Sequence, residues 1–181
     1  MPSGRRIGWD TLTTGRTQQL STATGHNLPA ARSSFVGRER ELGATKRELE
    51  TTRLLTGAGG SGKTRLALQV GRRLASAYPD GVWLGELAPL SEGAFVPKEV
   101  AEALGVSDRP AQPLDDTLAE VLRGRELLLL MDNCEHLLEA TARLVDGLLD
   151  SCPRLRILAT SREAIGVEGE VRWLVPPLSV P

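Results

Sequence analysis

The chain has 181 residues, 40% of them hydrophobic and 25% charged, enough apolar material for one compact domain with its own core. A formal net charge of −1 excludes the global basic field that accompanies nonspecific nucleic-acid binding. No run approaches the roughly 20 apolar residues of a membrane helix, and no apolar stretch follows Arg5 and Arg6 as it would in a secretory signal. The two cysteines, Cys134 and Cys152, make neither a CxxC pair nor a metal set, so both are expected to be reduced thiols of a cytoplasmic protein.

Residues 1–33 are rich in Gly, Ser, Thr, Arg and Gln without an apolar period, and are expected to form a flexible lead or linker. Order is expected from residue 34, with Ser33 or Ser34 capping a turn ahead of a charged helix over about residues 38–50. "RLLTG" then reads as a short strand, and "KTRLALQVGRRLASAY" as a helix carrying Ala67, Val70, Gly71 and Leu74 on one face. "GVWLGEL" is a second strand. "VPKEVAEALGV" is a helix with Pro97 near its start and Gly105 at its end. "LDDTLAEVLRG" is another, with Asp115 or Asp116 as its cap and Gly124 as its stop. "ELLLLMD" is an unbroken apolar strand of the kind buried on both faces. In "EHLLEATARLVDGLLDSC" the residues Leu138, Ala142, Val145 and Leu149 recur at helical spacing, and "RLRILATSR" and "VRWLVPP" close the series as strands. Strands and helices alternate, which predicts a mainly parallel five-stranded sheet with right-handed crossovers and helices on both faces, an α/β three-layer αβα sandwich.

Between the first strand and its helix, Gly57, Ala58, Gly59, Gly60, Ser61, Gly62, Lys63 and Thr64 match G-x-x-x-x-G-K-[ST] at every fixed position. Bare glycines let the backbone N–H groups of Ala58 to Gly62 turn inward around phosphates, and the helix that follows aims its positive dipole end at the same anion. Lys63 supplies a point charge for the β- and γ-phosphates, and the Thr64 hydroxyl is placed to ligate Mg²⁺. Asp132, at the end of the apolar strand, is the candidate carboxylate for the same cation, although an Asp there also serves as a plain helix cap.

Asn133 follows Asp132 where hydrolytic relatives carry a second acid, and an amide orients water without accepting its proton. Glu135 is either a substitute for that acid or a first-turn helix carboxylate. At the end of "LATSRE", Arg162 is either a sensor of the γ-phosphate or a solvated loop arginine.

With "NLPAARSSFVGRERE", "LLTGAGGSGKTRLAL", "LLLLMDNCEHLLEA", "ILATSRE" and "VRWLVPPLSVP" in this order over residues 27–181, the chain resembles the nucleotide-binding domain of the STAND class of P-loop ATPases. The resemblance is strongest to the NB-ARC-like module of bacterial multidomain transcriptional regulators, the large ATP-binding LuxR-type proteins and the Streptomyces antibiotic regulatory proteins. It implies a P-loop NTPase fold in which the Arg162 strand lies between the P-loop strand and the Asp132 strand. It also implies that Val36, Gly37 and Arg38 line the adenine and ribose, that Arg65 joins the nucleotide-binding set, and that Arg162 is the sensor arginine beside Lys63 and Asp132. Asn133 is then normal for the group, and His136 is a helix surface residue or lies near the phosphates. Residues 34–181 are expected to be the nucleotide-binding part alone, without the helical and winged-helix subdomains that follow in such proteins.

The expected function is an ATP- or ADP-binding switch with Mg²⁺ and slow hydrolysis, passing a conformational change to attached effector domains in signal-dependent transcriptional regulation. A small P-loop kinase or ATPase, or a domain that only binds nucleotide, are the alternatives. No direct DNA contact and no membrane partner are expected, because the basic residues are scattered among acids; self-association in the ATP state follows from the resemblance alone.

Overall fold

The structure is a computed structural model that describes residues 25–31, 37–59 and 62–175. Helix α1 (Glu39–Thr51) leads into β1 (Leu54–Gly59), α2 (Lys63–Leu74), β2 (Val82–Glu86), α3 (Val96–Leu104), α4 (Leu114–Leu122), β3 (Leu128–Asp132), α5 (Leu138–Ser151), β4 (Arg156–Thr160) and β5 (Glu170–Val175). The strands form one sheet in the order β2-β3-β4-β1-β5, and every pairing is parallel. β4 therefore lies between β1 and β3, the order the family resemblance implied. Among the described residues no helix is long and apolar enough to cross a membrane.

Period-two alternation explains the two cores. Leu54, Leu129, Met131, Ile157 and Ala159 point to one face and pack with Val100, Leu118, Val145 and Leu148 of α3, α4 and α5. Leu55, Leu128, Leu130 and Leu158 point to the other and pack with Leu42, Leu49, Leu66, Val70 and Leu74 of α1 and α2. A strand as apolar as β3 must be covered on both sides, and all of Leu127 to Met131 are at most 1% exposed.

Two local expectations are corrected. α5 buries Thr141, Leu144, Val145 and Leu148, while Leu138, Ala142 and Leu149 are half-buried. Its apolar stripe is wide, and it is preceded by the 3-10 turn Cys134–His136 and the buried Leu137. α4 begins at Leu114 after Pro113, without a side-chain cap, so Asp115 and Asp116 sit in the first turn facing the helix dipole. It ends at Leu122, ahead of Gly124. The expected caps Ser33 and Ser34 lie outside the described residues.

Residues 25–31, assigned from composition to the flexible lead, are docked on the outer edge of β2. Val82 N–H donates to the Gly25 carbonyl at 3.0 Å. The Asn27 side chain behaves as a length of strand, accepting from Leu84 N–H at 2.7 Å and donating to the Leu84 carbonyl at 2.9 Å. Leu28 reaches the second core, where a Cβ on Gly71 of α2 would lie 3.2 Å from it. Isolated apolar residues in a polar stretch carry too weak a period to signal such docking.

Gly81 makes the approach possible. Its φ is +94°, and a Cβ there would stand 2.1 Å from the Gly25 carbonyl oxygen. Gly81→Ala is expected to displace residues 25–31 and to lower stability by about 1–3 kcal/mol. Hydrogen exchange is expected to show lost protection at the Val82 and Leu84 amides; unchanged protection there refutes this role for the glycine.

Candidate functional site

The carboxyl ends of β1, β4 and β3 lie side by side: α2 with Lys63, Thr64 and Arg65 follows β1, Asp132 ends β3 and Arg162 follows β4. Gly57 of β1 is in register with Thr160 of β4, and Met131 of β3 with Ala159. Crevices at this end of a parallel sheet, where the connections part to opposite sides, are where such folds bind ligands.

β1 runs into a glycine loop whose Gly60 and Ser61 lie outside the described residues. The loop ends on Gly62, at φ 93° and ψ 13°, a left-handed conformation that glycine alone adopts freely. α2 then starts at Lys63 with no acidic residue in its first turn and no side chain capping its N–H groups. A helix start of this kind presents N–H donors and the positive end of the dipole to an anion. Lys63 and Arg65 stand in this first turn.

The cation candidates converge. The Thr64 hydroxyl lies 2.8 Å from Oδ1 and 3.0 Å from Oδ2 of Asp132, joining α2 to the tip of β3. Thr160, the last residue of β4, donates its hydroxyl to Asp132 Oδ1 at 2.5 Å and accepts from the Asn133 backbone N–H at 2.9 Å. Asp132 is thus held between two hydroxyls from two other elements. This set of hard oxygen donors fits Mg²⁺, which takes one or two protein oxygens and completes its shell from phosphate and water. No three His, Cys, Asp or Glu side chains converge among the described residues.

Thr160 is a residue that the sequence reading passed over. Its signal was a hydroxyl ending an apolar strand, and its partner became identifiable only once β4 was known to lie beside β3.

Asn133 has φ 64°, the one positive φ outside glycine among the described residues, and Asn is one of the few side chains that tolerates it. This bend sends the chain from β3 into the 3-10 turn Cys134–His136. Cys134 is fully buried, and burial, together with the charges of Asp132 and Glu135, pushes its thiol far above the ordinary range. It is an inert core residue. His136 is exposed, with Nε2 2.9 Å from the Leu90 carbonyl, in the wall of a groove of about 640 Å³ between the Gly93–Phe95 turn and the start of α5.

Glu135 is half-buried and faces Arg162, with Arg162 Nε 3.4 Å from Glu135 Oε1. The structure thus pairs the candidate second acid with the candidate sensor arginine. The α1 side contributes Arg38, which is 5% exposed and lies with its guanidinium 3.6–3.9 Å from where a Gly62 Cβ would be. Arg38 therefore reaches the end of the phosphate loop. Gly37 beside it has φ 90°, and Val36 lies outside the described residues.

No protein-family model matches the chain. An uncharacterized protein of Mycobacterium tuberculosis is 46% identical over 157 residues, which span 86% of this chain and 40% of that protein. A "Putative HTH-type transcriptional regulator" of the same organism is 47% identical over 134 residues, 73% of this chain and 15% of the regulator. The regulatory protein AfsR of Streptomyces coelicolor is 33% identical over 171 residues, 72% of this chain and 17% of AfsR. The chain thus spans less than half the length of these relatives.

Among solved structures, a Signal Transduction ATPase with Numerous Domains from Pyrococcus horikoshii, with a tetratricopeptide repeat sensor, superposes with a TM-score of 0.53 at 16% identity. The match covers 81% of this chain and 24% of that one. The ORC2 protein of Aeropyrum pernix, solved with ADPNP and ADP, gives 0.50 at 17% identity over 71% of this chain and 42% of that one. The fold is that of the P-loop NTPases, and in sequence the chain is similar to part of longer Mycobacterium and Streptomyces proteins, some of them named as regulators.

Proposed function

We propose that the chain is the nucleotide-binding module of a regulatory switch, taking ATP or ADP with Mg²⁺ and passing the difference to attached effector domains in transcriptional control. The observation that carries this reading is the meeting of Thr64 and Asp132 at the uncapped start of α2, behind a loop with the phosphate-binding sequence. Fold likeness to ATPases and sequence likeness to regulators support it.

In this reading the amides of Gly57, Ala58, Gly59, Gly60, Ser61 and Gly62 wrap the phosphates, and Lys63 adds its ammonium. Thr64 and Asp132 hold Mg²⁺, which when bound neutralises phosphate charge. Thr160 orients Asp132. Arg65 and Arg38 add positive charge at the loop, and Val36, Gly37 and Arg38 face the base and ribose. Arg162 reports the γ-phosphate. Residues 34–181 act as this module within a longer cytoplasmic regulator, with self-association in the ATP state and DNA contacts left to other domains.

An enzyme with rapid turnover is disfavoured by Asn133, which leaves no proton-accepting group directly after Asp132. Turnover below about 1 s⁻¹ is expected of the purified chain.

Calorimetric titration with Mg²⁺ and ATP or ADP tests the core of the reading. Lys63→Ala is expected to weaken both nucleotides at least about tenfold, the scale of a lost charge-assisted hydrogen bond; full affinity without the lysine overturns the assignment. A separate test addresses the cation. Thr160→Val keeps the shape, removes the hydroxyl, and is expected to weaken the Mg²⁺-dependent part of ATP affinity about tenfold. Affinity in EDTA should not change. Equal losses with and without Mg²⁺ would show that Thr160 merely supports the fold.

A further inference from the structure

We propose that Glu135 sets the discrimination between ATP and ADP by competing with a γ-phosphate for Arg162. The proposal presupposes the nucleotide-binding function above and assigns Glu135 as a specificity-determining residue of that site.

Both partners are tied to the same junction. Glu135 belongs to the 3-10 turn that the left-handed Asn133 directs off β3, three residues after Asp132. Arg162 lies two residues beyond Thr160, whose hydroxyl bridges Asp132 and the Asn133 amide. The backbone between them is also anchored, since Ser161 is fully buried and its N–H donates to the Gly57 carbonyl at 3.1 Å. The pair therefore stands beside the phosphate loop, with little freedom in the main chain on either side.

The two side chains differ sharply in their dependence on each other. Glu135 is 19% exposed, and its Oε2 is buried without a hydrogen bond among the described residues. Arg162 is 80% exposed. An enclosed carboxylate with one oxygen unsatisfied relies on the nearby guanidinium to offset its lost hydration. The guanidinium, mostly in water, does not rely on the carboxylate.

The approach of Arg162 to Glu135 is through Nε at 3.4 Å, and no hydrogen bond joins its forked Nη donors to Glu135 among the described residues; that fork is what a phosphate recognises, and a phosphate engaging it pulls on the whole planar guanidinium. A ligand that engages the fork strongly enough draws the arginine from Glu135 and leaves the carboxylate uncompensated. ATP offers oxygens that ADP lacks. Glu135 consequently opposes ATP and leaves ADP untouched, biasing the site toward the diphosphate until the triphosphate is in excess.

The test is calorimetric titration of the full chain with ATP and with ADP, both with Mg²⁺, for the wild type, Glu135→Gln, Arg162→Ala and the double variant. Glu135→Gln is expected to strengthen ATP about three- to fivefold, the worth of a weak ion pair in which only the arginine is exposed, with ADP unchanged. In the Arg162→Ala background the same substitution is expected to have no effect on either nucleotide. Glu135→Ala, with its melting temperature checked against the wild type, provides a second route to the same result. A parallel shift of ATP and ADP would show a structural role for Glu135 and overturn the proposal, as would an unchanged ratio. Wild-type protein that binds neither nucleotide removes the nucleotide function itself, and the proposal with it; a normal wild type with an unresponsive Glu135→Gln removes the proposal alone.

Discussion

The Asp132 carboxylate, gripped by the hydroxyls of Thr64 and Thr160, is the contact around which the rest of the site is arranged. Its partners are 68 and 28 residues away in sequence, so it exists only if β3, β4 and the start of α2 are brought together. Neighbouring strands stand about 4.8 Å apart and strands two places apart about twice that. A threonine hydroxyl spans the first distance and cannot span the second. The placement of β4 beside β3 is therefore a requirement of the Thr160–Asp132 contact as well as a feature of the fold.

The packing beneath serves the same geometry. α2 approaches the sheet at Gly71, where a Cβ would stand 2.8 Å from Leu130 Cδ1 and 3.2 Å from Val82 Cγ1. This close seat supports the helix whose first turn carries Lys63, Thr64 and Arg65. At the amino ends of the strands, arginines do structural work. The Arg53 guanidinium donates to the carbonyls of Leu149 and Cys152, closing the end of α5, and Arg156 donates to the Thr52 carbonyl at 2.9 Å. The same residue type thus serves backbone carbonyls at one end of the sheet and, at the other, stands around the phosphate loop as Arg38 and Arg162.

The outer edge of β2 shows how the molecule avoids unwanted pairing. Its outward N–H groups are taken by the Gly25 carbonyl at Val82, the Asn27 side chain at Leu84 and the Glu99 carboxylate at Glu86, the last at 3.0 Å. None of these partners is a regular strand. An edge satisfied in this way offers no ladder for another chain. At the other edge, β5 carries Leu174, which is 71% exposed.

Much of the fold was legible from the chain itself, because strands buried on both faces and helices with one apolar stripe leave distinct periods, and because the phosphate-loop pattern fixes what precedes and follows it. The strand, the glycine loop, Lys63, Thr64 and Asp132 could be named from local pattern alone. What required tertiary structure were partners set by three-dimensional proximity. Thr160 is an ordinary strand end until β4 lies beside β3. Residues 25–31 look like linker until Gly81 lets the Gly25 carbonyl close on β2. Whether Arg162 and Glu135 each face solvent or each other depends on a left-handed bend at Asn133 that no period encodes. Local sequence determines which backbone conformations are cheap and which side chains must leave water, whereas contacts between residues tens of positions apart depend on strand order and register, which are settled only when the whole core closes.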